Sequence, residues 1–352
     1  MNILIYVESY LPNLGGLERN TRMLCRLLAK KADVTLVTPV LNKIETEDDE
    51  PFKIVRSISL IIYAKLIRNC DLLIVNGGTA LKPLTCALLW NKPFWVIYQM
   101  ASLFLPVGHQ LFKKKLSFKL RKYAASKARL NIAVSEYSKF ELQRLLPSNR
   151  CEVLINPFDE DLEQYIEPLI INKDNSKPFR LLFAGRLTEG KGVFLLVQAV
   201  QELLNTNPDL FELHIAGSGD AEQKLHQLIT ADKRFVYHGR VDQQALIQLY
   251  QLCHLTIIPS HTHIEGSPLT MAESIYCGTP VLVSDQPAMI SSMGNAGFSF
   301  KSGSKEALKT ALINYACDAE FRLSLMNHSK EQRKRFSVAD YERKLNVLIN
   351  VA

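Results

Sequence analysis

The sequence contains no C-x-x-C pair, although it holds seven cysteines. Cys25, Cys70, Cys86, Cys151, Cys253, Cys277 and Cys317 are scattered and odd in number. That argues against a disulfide framework or a zinc site and for a reducing compartment. Long hydrophobic runs are lacking too. The longest, "PFWVIYQMASLFLPVG", is broken by Gln99, Ser102 and Pro106, whereas a spanning helix needs about 20 consecutive apolar residues. The opening "MNILIYVESY" has no basic leader or cleavage site and reads as a strand, so no secretory signal is expected. There is no internal repeat and no low-complexity tract. Neither charge dominates: 42 basic against 35 acidic residues leave +7, compatible with anionic ligands and far from a nucleic-acid-binding composition. What remains suits a globular enzyme of two domains, with 352 residues, 47% apolar and 22% charged.

Short apolar runs alternate with helical patterns along the whole chain. In the first half they are "NILIYVE", "DVTLVTP", "DLLIVN", "FWVIYQ", "LNIAVS" and "EVLIN"; in the second, "RLLFAG", "FELHIAG", "RFVYHG", "LTIIP" and "TPVLVSD". Apolar runs of this length between helices predict parallel sheets buried on both faces. The expected fold class is α/β: two doubly wound Rossmann-like domains facing across a cleft, with ligands at the carboxyl ends of the strands. The expected boundaries are a first domain over 1–160, a polar, proline-bearing linker over 161–178, a second domain over 179–335, and a tail helix over 336–352. The tail is amphipathic, with Val338, Tyr341, Leu345, Leu348 and Ile349 as its apolar positions.

Four stretches carry candidate chemistry. In "NLGGLERNTRMLCRLLAK", Gly15 and Gly16 follow the first strand and open a helix whose free N–H groups suit an anion; a plain strand–helix turn would look the same. "FAGRLTEGKGVFLLVQAV" nearly matches a P-loop, but Gly192 stands where a magnesium-holding Ser or Thr is required. What survives is a pair of cations, Arg186 and Lys191, at a strand's carboxyl end, suited to a diphosphate. "HIAGSGDAEQK" approaches a dinucleotide fingerprint and fails at Glu222, so no nicotinamide cofactor is expected, although Gly217 can still face a ligand.

The fourth stretch is "HIEGSPLTMAESIYCGTPVL". Ser267 reads as an N-cap and Pro268 as the first helical residue. The N–H groups of Leu269 and Thr270 then form an anion site. Glu273, inside the helix, suits a ribose diol because a carboxylate only accepts. Glu265, on the preceding loop, falls where a sugar attached to the diphosphate would lie. A glycosidase pair is the rival reading. Such carboxylates sit roughly 5–10 Å apart, whereas eight residues of helix rise about 12 Å. Glu265 precedes the helix, so this weighs against the rival without excluding it.

Together these marks resemble the retaining glycosyltransferases of family 4, which have the GT-B fold. They are "PNLGGLE", "GRLTEGKG", and "PS" followed by "EGSPLTMAESIYCGTPV", with two glutamates separated by seven residues; "VSEYSK" and "EVLINPFD" are weaker stations between. The resemblance covers essentially the whole chain, in order. It implies transfer of a hexose from a nucleotide-diphosphate sugar, with UDP as the expected base carrier, to a glycan or lipid-linked acceptor. The first domain would take the acceptor and the second the nucleotide-sugar. Gly16 would bring its N–H to the diphosphate, Arg186 and Lys191 would neutralise it as it leaves, and Glu273 would bind ribose. Glu265 would sit by the transferred sugar, backbone near Val241 would meet the base, and the tail helix would cross back onto the first domain. Same-face attack assisted by the leaving diphosphate would retain configuration. No metal and no cofactor are expected, since cations and helix dipoles do that work; the D-x-D at Asp159 and Asp161 falls in the linker. The sequence departs from the family at "YQMA" (Tyr98–Ala101), where many relatives have a histidine, and His109 is the substitute candidate. A GT-B sugar-nucleotide epimerase and a non-catalytic sugar-nucleotide-binding subunit are the alternative readings.

A last stretch, "LFKKKLSFKLRKYAASKAR", has eight basic residues and no acid. Lys113, Lys114, Lys115, Lys119, Arg121 and Lys122 are the candidate membrane-surface residues, followed by Lys127 and Arg129. Phe112, Leu116, Leu120 and Tyr123 share one helical face. Such a helix can lie on anionic lipid; a core helix with a solvated basic face is the plainer reading. The expectation is a cytoplasmic protein, peripheral at the inner membrane face, with no nucleic-acid partner.

Overall fold

The computed structural model describes residues 1–12, 15–42, 49–99, 111–158, 166 and 177–350, with side chains of the helix that begins at Leu111 described from Ser117 onward. Contacts divide the chain into two units, residues 1–155 with 342–352 and residues 156–341. The expected linker 161–178 lies outside the described residues except at 166, 177 and 178.

The first unit is built on strands β1 (Asn2–Val7), β2 (Asp33–Thr38), β3 (Lys53–Arg56), β4 (Leu72–Asn76), β5 (Phe94–Tyr98), β6 (Leu130–Ala133) and β7 (Cys151–Val153). Between them run α1 (Gly16–Ala29), α2 (Leu60–Asn69), α3 (Leu81–Leu89), α4 (Leu111–Ser126) and α5 (Glu136–Leu145). The strands pair in parallel in the order β3-β2-β1-β4-β5-β6-β7. All five residues of β4 and of β5 are buried, as a parallel strand covered on both faces must be.

The second unit repeats the plan with β8 (Phe179–Ala184), β9 (Phe211–Ala216), β10 (Phe235–Gly239), β11 (Leu255–Ile258), β12 (Val281–Ser284) and β13 (Gly297–Phe300), in the order β10-β9-β8-β11-β12-β13. Its helices are α6 (Val193–Thr206), α7 (Glu222–Ile229), α8 (Gln243–Leu252), α9 (Leu269–Tyr276), α10 (Pro287–Met293), α11 (Lys305–Cys317) and α12 (Ala319–Gln332). One core joins the inner residues of β8 and β9 (Phe179, Leu181, Phe211, Leu213) to Leu196 and Val200 of α6 and Leu308 and Leu312 of α11.

The two α/β units are those the alternating runs predict, with two added strands. β3 and β13 are four residues each and lie at sheet edges. Neither is fully buried, and β3 reads "KIVR", so the continuous apolar signature of an inner strand is missing. The last helix, α13 (Val338–Asn350), buries Val338, Tyr341, Leu345 and Leu348. Its second half belongs to the first unit, where Glu342 meets Lys30 at 3.3 Å and Asn346 accepts from Lys31 at 3.0 Å.

Strand order reverses between β1 and β4 in one sheet and between β8 and β11 in the other. At such a switch point the connections leave in opposite directions and open a crevice beyond the carboxyl ends. In the second unit the chain following those two strands is Gly185-Arg186 and Pro259-Ser260. Arg186, Lys191 and Glu265 lie on these two stretches of chain.

Candidate functional site

Two loops meet at the β8–β11 switch point because two glycines, Gly190 and Gly192, leave no room for side chains, and a third, Gly217, lets the turn after β9 approach the end of β8. Gly192 has φ +78° and heads α6; a Cβ there would lie 2.1 Å from the Pro259 carbonyl oxygen. Gly190 accepts at its carbonyl from the N–H of His261 at 3.1 Å and of His263 at 3.3 Å. Gly217, with φ +142°, would put a Cβ 1.8 Å from Gly185 O. The contact at Gly192 also gives the physical reason why a P-loop Ser or Thr is absent. A larger residue would be strained twice, by backbone conformation and by overlap with main chain. Gly192→Ala should therefore destabilise the fold by at least about 2 kcal/mol. A urea titration would show it, and a wild-type midpoint would refute the close approach.

The loops bring Lys191 to Glu265. Lys191 Nζ lies 2.5 Å from Glu265 Oε1, and both side chains are largely buried. Ser260 Oγ donates to the same oxygen at 2.9 Å. Gln286 holds the loop from behind: its Oε1 accepts from the Glu265 N–H, and its Nε2 donates to the carbonyls of Ser260 and His263, all at 2.9 Å. His263 Nε2 stands 4.0 Å from the other carboxylate oxygen, Oε2. Burial pushes His263 below its ordinary pKa, and Lys191 and Arg186 push the same way against the opposing pull of Glu265. The imidazole is therefore neutral at neutral pH. Arg186, an exposed side chain in the turn after β8, is close enough to be felt by it. Two of the expected catalytic residues thus touch directly, and the third, Arg186, adds a second positive charge beside them.

The helix start differs from expectation by one residue. Pro268, with φ −60° and ψ 135°, is itself the N-cap of α9, and Leu269 is the first helical residue. Ser267 lies one position earlier and makes no capping bond. Its Oγ is buried with no partner among the described residues, and its carbonyl accepts from Asn156 Nδ2 at 3.2 Å. The reason is local: Pro268 is held in an extended conformation, so the cap shifts onto it and the hydroxyl loses reach. The first helical bonds are Met271 N–H and Ala272 N–H to Pro268 O, at 3.0 and 3.3 Å. The N–H groups of Leu269 and Thr270 precede them, as the first donors of any helix do. Thr270 Oγ1 donates to Ala184 O at 3.3 Å, tying this start to the end of β8. Deeper in α9, Glu273 is buried and accepts from Tyr250 Oη at 2.9 Å.

The remaining candidates are more dispersed. Gly217 follows β9, where its N–H donates to Gly239 O at 2.7 Å and its carbonyl accepts from Tyr237 Oη at 3.0 Å. Val241 lies in the turn between β10 and the Asp242 cap of α8. Gly16 opens α1 in the first unit, but that start is already faced by a carboxylate of the chain. Glu18 is buried, accepts from Ser9 Oγ at 2.5 Å, and lies 2.6 Å from where a Gly15 Cβ would be. His109, Asp159 and Asp161 lie outside the described residues, as do the side chains of Lys113, Lys114 and Lys115. Arg121 is not a free surface charge: its guanidinium bonds the Thr79 carbonyl and, at 3.2 Å, Ser117 Oγ. Sequence reading missed Ser260, His263, Gln286 and Tyr250.

Residues 169–332 match the family described as Glycosyl transferases group 1. An uncharacterized glycosyltransferase of Methanocaldococcus jannaschii is 31% identical over 167 residues, which is 44% of this chain and 41% of that one. The chain thus spans less than half the length of that relative. Among solved structures, Anabaena HepE in complex with UDP-glucose superposes over 100% of both chains with a TM-score of 0.78 at 18% identity. The pneumococcal O-GlcNAc transferase GtfA in complex with UDP and GlcNAc covers 99% of this chain and 98% of its own, with a TM-score of 0.73 at 13% identity. The fold is the GT-B-like two-domain α/β architecture. With the family match to the second unit, it supports a GT-B glycosyltransferase.

Proposed function

We propose that the chain is a retaining, metal-independent glycosyltransferase of family 4 that moves a hexose from a UDP-sugar to a glycan or lipid-linked acceptor. The observation that carries this reading is the junction of Lys191, Glu265 and the head of α9 at a switch point, inside the segment that matches group 1 glycosyltransferases. A helix start with a buried hydroxyl still unpartnered, at Ser267, is suited to phosphate oxygens. Arg186 and Lys191 would neutralise the charge that grows on the departing diphosphate, the task a metal performs in other sites. To reach it, Lys191 would exchange part of its contact with Glu265 for phosphate. Glu265 would then be released toward the sugar, with Ser260 and Gln286 fixing its position. Glu273, which accepts from Tyr250, would also accept from the ribose hydroxyls, since an ionised carboxylate is an acceptor at both oxygens.

Structural neighbours bound to UDP-glucose and to UDP favour a uridine carrier. The decisive experiment is a thermal-shift panel of UDP-, GDP- and ADP-sugars. A ligand at about 100 times its Kd should stabilise the fold by about 2.7 kcal/mol through mass action. A UDP-sugar should raise the melting temperature most. If no sugar nucleotide shifts it, the reading fails.

A further inference from the structure

Between Pro51 and Ser135 the chain has one acidic residue, Asp71, and fourteen basic ones. The carboxylate of Asp71 is engaged by the N–H of Asn2 at 2.7 Å. The three helices of this span, α2, α3 and α4, contain no Asp or Glu and pack as neighbours, α2 on α3 and α3 on α4. Elsewhere in the same unit, cations face carboxylates: Arg22 and Arg26 meet Glu50, and Arg144 meets Glu141. No described cation of α2, α3 or α4 has such a partner.

The same helical layer exposes aliphatic side chains at one end. Ile58 precedes the Ser59 cap and Leu60, Ile61 and Ile62 open α2, and Ile58 and Ile61 are 64% and 82% exposed. This turn is not frayed. Ser57 N–H donates to Thr38 O at 2.9 Å, Ser59 N–H to Ser57 Oγ at 3.0 Å, and Tyr63 N–H to Ser59 O at 3.1 Å. The buried Tyr63 hydroxyl also donates to the Ser57 carbonyl. An ordered turn holding four aliphatics in water is costly unless something covers them. Lys65 and Arg68, four and seven residues after Ile61, continue its stripe along the helix and are exposed. On α4 the residues turned to the core are Ala124 and Ala125, followed by Ala128 just after the helix, while Leu120 and Tyr123 stand exposed beside exposed Lys119 and Lys122. The plain core-helix reading of α4 therefore fails for those two apolar residues.

We propose that the α2–α4 layer docks on an anionic bilayer, with the Ile58–Ile62 turn entering the acyl boundary and the basic helices facing lipid phosphates. Cations without acids, rigidly presented aliphatics and an amphipathic helix are the combination such a surface requires. No described helix is long and apolar enough to cross the membrane, so the attachment is to one face. The turn follows β3 at the carboxyl end of a parallel sheet, the end where α1 also begins. A bilayer there lies at the ligand end of the first unit and favours a lipid-linked acceptor over a soluble one. This goes beyond the donor chemistry and is tested without it.

The test is sedimentation of the full chain with vesicles of phosphatidylcholine, alone or mixed with phosphatidylglycerol. Wild type should pellet with the mixed vesicles at low salt, weaken as salt is raised, and stay in solution with phosphatidylcholine alone. Ile58→Ser with Ile61→Ser should weaken partitioning about tenfold or more. Lys65→Ser with Lys119→Ser and Lys122→Ser should reduce the preference for the anionic vesicles. Both variants should keep the wild-type melting temperature and any shift it shows with a sugar nucleotide. That last readout separates failure of this proposal from failure of the transferase reading. Wild type that does not pellet overturns the proposal, as does an Ile58/Ile61 variant that pellets equally well. A concentration-dependent dimer abolished by the Ile58/Ile61 change, with no vesicle binding, would assign the surface to a second copy and overturn it as well.

Discussion

Arg186→Ala should lower turnover at saturating donor by about two orders of magnitude or more, the usual scale for removing a group that stabilises charge developing in a transition state. Arg186 is exposed, so the same change should leave the fold intact, within about 0.5 kcal/mol. Lys191 should matter at least as much, but its removal has a second consequence. Glu265 is buried and paired to it at 2.5 Å, and breaking such a pair from one side destabilises by about 3–5 kcal/mol. Lys191→Ala alone would mix the two effects. Combining it with Glu265→Gln removes the orphaned charge, so the double variant should regain most of the lost stability and none of the turnover. Measured kcat alongside urea midpoints separates the two. Near-normal turnover in Arg186→Ala would remove that residue from the mechanism. A chelator should leave the wild type active, and strong inhibition would reopen the metal reading of Asp159 and Asp161.

The architecture was legible wherever burial was complete. Eleven strands appear as apolar runs: nine are inner strands, which must be apolar when covered on both faces, and two, β7 and β10, are partly buried edge strands that still carry apolar residues such as Val153, Phe235 and Val236. The two that did not, β3 and β13, are short edge strands with open or charged positions. The site was legible as chain but not as contact. Arg186, Lys191, Glu265 and Glu273 stand out because each is a charge beside glycine or beside a helix start. That Lys191 would reach Glu265 depends on Gly190 and Gly192 approaching the 259–263 loop, and no spacing encodes this. Gln286 was illegible for the same reason, since it lies 21 residues from Glu265 and looks like an ordinary residue before a proline-headed helix. His263 did carry a signal, two positions before Glu265. The cap was misplaced because Ser-Pro reads as a favourable start, whereas here Pro268 takes the cap itself. The basic stretch reads in the sequence as α4 alone, because the acid-free surface of three helices arises from α2, α3 and α4 packing side by side.

Glu273→Ala should weaken donor binding at least about tenfold, because hydrogen bonds to a charged acceptor contribute about 1.5–3 kcal/mol each. The structure adds a complication. Glu273 is buried and accepts from the buried Tyr250 hydroxyl. Removing the carboxylate therefore also deprives a second buried group, a loss of about 1–3 kcal/mol that would appear as a lower melting temperature even if no ribose ever bound. Glu273→Gln is the sharper variant. Its amide oxygen can still accept from Tyr250, so the fold should hold near wild type. The charge is gone, and the amide N–H₂ that replaces one oxygen cannot accept from a diol. Tyr250→Phe is the converse control: it removes the Tyr250 hydrogen bond, leaves the carboxylate, and should cost stability with little effect on donor. The expected order of donor affinity is wild type close to Tyr250→Phe, then Glu273→Gln, then Glu273→Ala. Titration calorimetry with the nucleotide diphosphate gives that order directly. If Glu273→Gln binds nucleotide as wild type does, the carboxylate serves the packing of α8 on α9, and the ribose must be held elsewhere.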